Sequence, residues 1–200
     1  YDEAAEYYAL FYRSTRSSLS REEQYQLAYT LYQTEQYGDA IGHFQKAIGQ
    51  NDSLSQHAYY YLGMSYLKTD EKKFATNAFL SSYKAGIDRD ITTESLFNYA
   101  RLSLETTTNT YNEAIDLLEN FIAGNSSSPR VDEAYDLLVS LYLNSRNYQQ
   151  ALESIERIAN RSDALQQAYQ QIAYFRGIEV FNVNEFEDAI ALFKISASYN

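Results

Sequence analysis

The chain has 200 residues, a net charge of −11, 45% hydrophobic and 22% charged residues, and only one proline and seven glycines. That apolar content can bury a core and is too high for a disordered chain, while the scarcity of turn-making residues disfavours all-β and collagen-like architectures. The acidic balance speaks against a nucleic-acid partner, whose phosphates need clustered Lys and Arg. The absence of cysteine excludes disulfides, thiolate metal sites and a cysteine nucleophile.

No apolar run approaches the roughly 18 residues of a membrane span, so this segment is not expected to insert into a bilayer. The opening "YDEAAEYY" has neither the basic start nor the apolar stretch of a signal peptide. It reads instead as part of a structural unit, because a phrase that begins there recurs along the chain. The phrase is an aromatic, two residues, Ala, three residues, then a large apolar residue.

In chain order it occurs as Tyr1-Ala4-Tyr8, Tyr37-Ala40-Phe44, Tyr111-Ala114-Leu118, Tyr148-Ala151-Ile155 and Phe186-Ala189-Phe193. A further copy, Ala75-Phe79, has Lys72 in the aromatic place. The alanines are spaced by 36, 35, 39, 37 and 38 residues. A second phrase precedes all but the first of them: Leu27-Ala28, Leu62-Gly63, Tyr99-Ala100, Leu138-Val139 and Arg176-Gly177. Leu31, Tyr66, Ser103, Tyr142 and Val180 follow one helical turn later.

Each unit therefore predicts two helices of about 13 residues joined by a short turn such as "TEQYGD" or "NSRNYQ". The predicted organisation is a single array over 1–200. Residues 1–16 form the second helix of a truncated unit, followed by units at 20–52, 54–88, 92–124, 129–160 and 163–200. Ser20 with Glu23 has capping-box spacing, and Ser128-Pro129 fits an N-cap and first helical position. Within a hairpin, the small residue of the first helix and the alanine of the second are expected to face each other. The large apolar residues Phe44, Phe79, Leu118, Ile155 and Phe193 are expected to fill the space toward the next unit.

These paired phrases resemble the tetratricopeptide repeat, whose 34-residue unit carries W-x2-L-G-x2-Y and then A-x3-F. The best match is "YYYLGMSY", with Tyr59 at the tryptophan position and Leu62, Gly63 and Tyr66 in register. Departures fall at Lys72, Ser103, Val139 and Arg176, in the displaced Pro129, and in the longer turns "ETTTNT" and "AGNSSSPR". The resemblance implies an all-α, right-handed superhelical solenoid of helix hairpins, with about five and a half repeats and about 11 helices. Because the chain starts mid-unit and no polar cap follows its last helix, it is expected to be part of a larger bacterial protein. Homo-oligomerisation through uncapped ends is a further expectation.

Catalytic and metal signals are nearly absent. His43 and His57 fall on different helices, and no His-Glu-x-x-His, G-x-S-x-G or phosphate-loop motif occurs. Carboxylate pairs at Asp2-Glu3, Glu22-Glu23, Asp132-Glu133 and Glu187-Asp188 sit in first turns, where they favour the positive end of the helix dipole. No enzyme activity, metal or cofactor is expected. Asn-x-Ser at Asn51, Asn125 and Asn160 occurs at the frequency this composition gives by chance.

In the repeat family the first helices line a concave groove. Carried over, the groove positions are Tyr25, Tyr29 and Tyr32; Tyr60, Met64 and Leu67; Phe97, Arg101 and Leu104; Asp136, Ser140 and Leu143; and Tyr174, Ile178 and Phe181. Aromatics and Arg are the usual anchors of protein interfaces. The leading expectation is a non-catalytic protein–protein interaction scaffold that holds an extended or helical segment by apolar anchors. The family's clamp for acidic chaperone tails is not expected, since Tyr25, Tyr29, Tyr60 and Met64 stand where its Lys, Arg and Asn would be.

The Tyr/Asn/Ser-rich, cysteine-free composition resembles arrays of cell-envelope proteins, which favours a periplasmic or envelope setting by resemblance alone. Two other functions stand beside the scaffold: a carbohydrate-binding component of an envelope uptake system, and a regulatory array attached to a catalytic domain outside this chain.

Overall fold

A computed structural model describes residues 19–105, 111–158, 161 and 163–198. The truncated first unit at 1–16 and the Tyr1-Ala4-Tyr8 phrase lie outside the described residues, as do most of "ETTTNT" and Asn160. The rest forms ten helices, and among the described residues there is no strand. They are α1 (Arg21–Gln33), α2 (Tyr37–Ala47), α3 (Ser53–Lys68), α4 (Lys72–Ala85), α5 (Arg89–Glu105), α6 (Tyr111–Gly124), α7 (Val131–Ser145), α8 (Tyr148–Glu156), α9 (Asp163–Asn182) and α10 (Phe186–Ala197).

The chain divides into two compact units, Tyr1–Thr106 and Thr107–Asn200. In the first, each helix from α1 to α5 packs on the next, and the alternate helices α1, α3 and α5 also touch in sequence. In the second, α6 packs on α7, α7 on α8, α8 on α9 and α9 on α10, with α7 also meeting α9. This is the contact pattern of stacked helix hairpins, in which a unit buries its apolar stripe only with its neighbours.

Helix ends are set locally. Ser20 Oγ accepts the Glu23 amide, and Glu23 accepts the Ser20 amide at 2.8 Å, so the expected capping box is formed. Asp52 caps α3 through the Ser55 amide at 2.8 Å. Its carboxylate also receives both terminal nitrogens of Arg21, while Arg21 Nε donates to the Ala47 carbonyl. One guanidinium thereby ties the start of α1 to the end of α2 and the start of α3. Asp88 caps α5 through the amides of Asp90 and Ile91, which starts the helix at Arg89.

The Ser128-Pro129 expectation is corrected. Helix α7 begins at Val131, and Ser128 Oγ accepts the Arg130 amide in a turn that precedes it. Proline satisfies the first position of that turn as readily as the first position of a helix, since both fix a similar φ.

The turn between the two helices of a hairpin repeats its backbone. Glu35, Asp70, Arg146 and Asn184 all adopt left-handed conformations, with φ of 61°, 61°, 55° and 66°. At the first two and the last, the next amide reaches back five residues and closes the helix end: Gln36 to Leu31, Glu71 to Tyr66, Glu185 to Val180.

The core follows the repeat register. Ala40, Ala75, Ala114, Ala151 and Ala189 are all buried, as are Phe44, Phe79, Leu118 and Ile155. One expectation about their facing partners is corrected. A Cβ placed on Gly63 would meet the Phe79 ring at 2.9 Å, and one on Gly177 would meet the Phe193 ring at 2.7 Å. The missing side chain therefore admits the aromatic of the same hairpin, not its alanine. The large apolar residue serves its own hairpin first. Phe44 does both, meeting Tyr25 edge-on at 5.8 Å and stacking with Tyr61 of the next hairpin at 6.0 Å.

The four departures from the repeat pattern are accommodated differently. Lys72 pairs with Glu105 at 2.9 Å. Ser103 is buried and returns its hydroxyl to the Tyr99 carbonyl. Val139 is half-buried. Arg176 pairs with Glu179 at 3.2 Å through Nη1, but its Nε is buried with no acceptor.

Candidate functional site

Helix α1 places Tyr25, Tyr29 and Tyr32 on one face because residues four and three apart share a helix side. Helix α3 brings Tyr60 and Tyr61 against them. Tyr61 is the hub: its ring lies 6.4 Å from Tyr25, 5.0 Å from Tyr29, 5.4 Å from Tyr32, 6.0 Å from Phe44 and 5.3 Å from Tyr60. Tyr25 and Tyr29 stack at 6.2 Å, and Tyr60 meets Phe79 edge-on at 5.9 Å. Tyr37 closes one end, edge-on to Tyr32 and under the Lys68 ammonium at 5.9 Å. Edge and offset geometries of this kind are worth about 0.5–1.5 kcal/mol per pair beyond area burial.

None of these tyrosines is fully buried: Tyr25, Tyr29, Tyr32, Tyr37, Tyr60 and Tyr61 each keep part of their surface in solvent. Met64 and Leu67, one and two turns further along α3, are likewise half-buried. Burial, reinforced by Tyr29, pushes the Tyr25 phenol up to about 12. Tyr61 is raised further by burial, by Tyr29 and by a hydrogen bond with it. Burial also raises Tyr32 and Tyr60, helped by Tyr37 and by Glu94 respectively. At neutral pH these phenols stay protonated, so the surface offers ring faces and neutral hydroxyls capable of donating hydrogen bonds.

The other predicted groove positions are less uniform. On α5, Phe97 is wholly buried and joins the core, Leu104 is half-buried and Arg101 is exposed. Phe97 thus offers no surface, because α5 turns this position inward together with Leu96 and Ala100. On α7, Asp136 is exposed, while Ser140 and Leu143 are half-buried. On α9, Tyr174 is 48% and Phe181 51% exposed, with Ile178 half-buried between them. Tyr174 rests on Phe175 and Phe193, and Phe181 on Phe186.

Sequence reasoning left Tyr61 without a role, yet it touches more of the cluster than any residue that was named. The available signal was its position, one residue before the Leu62-Gly63 pair and therefore on the side of α3 that meets α1.

The histidines are held locally. His43 is half-buried, with Nδ1 2.7 Å from Gln24 Oε1, and burial lowers its pKa. His57 Nδ1 lies 2.8 Å from the Ser53 carbonyl of its own helix. Among the described residues no group of three or more His, Asp or Glu is placed to hold a metal ion. The pairs Glu22-Glu23, Asp132-Glu133 and Glu187-Asp188 occupy first helical turns, as the dipole favours. Among the described residues no helix is long and apolar enough to cross a membrane.

No protein-family model and no curated protein matches the chain. Two solved structures are similar to it. One is YrrB, described as a TPR protein with an unusual peptide-binding site, at 16% identity, covering 90% of this chain and 86% of that one, with a TM-score of 0.50. The other is a putative kinesin light chain of Podospora anserina with nearly identical TPR-like repeats, also at 16% identity and a TM-score of 0.50, covering 86% of this chain and 94% of that one. At such identity the likeness speaks for the fold, and it agrees with the hairpin register read from the alanines. The chain has the fold of the tetratricopeptide-repeat proteins.

Proposed function

We propose that this chain is a non-catalytic protein-interaction scaffold, and that the tyrosine surface of α1 and α3 holds a peptide segment of a partner protein. The observation that carries this reading is the Tyr61-centred cluster. It gathers five tyrosines from two hairpins and leaves each partly in solvent. Partly exposed tyrosines offer rigid apolar area with a polar tip at low entropic cost, which is what a peptide anchor site needs. The fold supports the reading, and YrrB, with its peptide-binding site, is a protein of the same fold.

Tyr29 and Tyr60 are the residues of choice for a test, since each is a half-buried ring, one on each of the two helices that form the surface. The double variant Tyr29→Ala/Tyr60→Ala is expected to keep the helical circular-dichroism spectrum and to lose the partners that the wild-type chain captures from native extract. Retention of the same partners would refute the site. Capture of glycans on an array by the wild type, abolished in the double variant, would reassign the same ring faces to sugar stacking.

A further inference from the structure

A second concavity lies wholly within the second unit and shares no residue with the tyrosine cluster. It opens between α6, α7 and α8 and measures about 650 Å³, inside the 300–1,000 Å³ range usual for small-molecule sites. Ile122, Val131, Leu138 and Ile158 give it an apolar wall. Its charged lining residues are Glu119 of α6 and Arg157, which follows the last residue of α8.

These two charges converge on one buried hydroxyl. Tyr142 of α7 is buried, and its O–H donates to Glu119 Oε1. The fields of Glu119 and Arg157 both act on the same hydroxyl, in opposite directions. Arg157 is steadied from its own helix, with Nε donating to the Glu153 carbonyl and Nη2 to Ser154 Oγ, each at 3.2 Å. Its Nη1 donates to no group among the described residues, and neither Arg157 nor Glu119 forms an ion pair there. The pocket thus combines one anion and one cation, not paired with each other, with an apolar wall.

That combination selects a ligand class. A wholly apolar ligand would strip water from two charges and return nothing, which is costly. A ligand with one charge would satisfy one group and set a like charge near the other. A zwitterion with an apolar side chain satisfies all three features. We propose that the pocket binds a free apolar α-amino acid or a very short apolar peptide as its zwitterion. Its ammonium lies toward Glu119, its carboxylate toward Arg157 Nη1 and its side chain against Leu138, Ile122 and Ile158.

The test is calorimetric titration of the full chain with leucine, phenylalanine and leucyl-leucine, beside N-acetyl-leucine and leucinamide, which each lack one charge. Saturable binding of at least one zwitterion is expected, weakened at least about tenfold on blocking either end. The stronger of leucine and leucyl-leucine identifies amino acid or peptide as the source. Glu119→Gln keeps an acceptor for Tyr142 and preserves the fold, and Arg157→Gln removes a partly solvated cation; each is expected to weaken binding by a similar factor. Ala123→Phe places a ring into the pocket from its exposed wall and is expected to abolish binding in a chain that remains helical. The proposal is overturned if no zwitterion binds, if the blocked ligands bind as well as leucine, or if binding survives Ala123→Phe. Occupation of the pocket only by a longer protein segment overturns it as well.

Discussion

Replacing Gly63 by alanine asks whether its missing side chain is an accident of composition or a requirement of packing. An alanine Cβ there would lie 2.9 Å from Cε1 and Cζ of Phe79 and 3.0 Å from Cδ1. Carbon atoms prefer about 3.5–4.0 Å, so the ring must retreat. Phe79 has no exposed surface, and its ring already meets Tyr60, so any retreat displaces a second aromatic. Overpacking of this kind costs about 1–3 kcal/mol, against a gain of about 1 kcal/mol from exchanging glycine for alanine inside a helix.

Gly42 of α2 supplies the control, because an added Cβ meets nothing within 4 Å there. Gly42→Ala is expected to raise Tm by about 2–4 °C, the equivalent of about 1 kcal/mol in a chain of this size. Gly63→Ala is expected to fall below Gly42→Ala by the whole overpacking cost of about 1–3 kcal/mol, since the propensity gain is common to both and cancels. Urea unfolding followed by circular dichroism measures the difference. Repeating Gly63→Ala in a Phe79→Leu background, where the ring is gone, is expected to recover most of it. Equal shifts for Gly63→Ala and Gly42→Ala would refute the close-approach argument.

Two other perturbations probe the frame that carries the sites. The Arg21 guanidinium, followed by the Ser55 amide, holds the Asp52 carboxyl well below its ordinary value of 3.8. A depressed folded-state pKa gives stability that is present above the unfolded value and is lost as pH falls through the folded one. Asp52→Asn is therefore expected to lower the urea midpoint at neutral pH, with the gap to wild type narrowing as pH drops below the usual carboxylate range; a gap independent of pH would contradict this. Arg176 stands where the repeat prefers an apolar residue, and its Nε is buried without an acceptor. Arg176→Leu is expected to stabilise the second unit by about 1 kcal/mol despite losing the exposed pair with Glu179, and a lowered Tm would show that the guanidinium is worth more than its desolvation.

Much of this protein was legible as one-dimensional information. The alanine spacing set the number and order of hairpins, since an alanine at each helix crossing is a local steric demand that repeats wherever the crossing repeats. The Ser20-Glu23 capping box was equally legible, because its hydrogen bonds join residues three apart. Helix starts that depend on a turn were less so: Ser128-Pro129 serves a turn or a helix with the same φ.

What sequence could not decide lies in contacts between helices that are far apart in the chain. The partner of Gly63 is Phe79 and not an alanine, because the angle between α3 and α4 sets which residue fills the gap. Phe97 shares the groove positions of its repeat yet turns into the core, since a residue's periodicity gives its face but not what covers that face. Tyr61 became the centre of the tyrosine cluster only once α1 was laid against α3. The pocket of the second unit left no sequence signal at all, for Glu119, Tyr142 and Arg157 come from three helical segments and meet only through packing. Sequence determined the repeat because its causes are local and periodic; the tertiary structure decided the sites because theirs are neither.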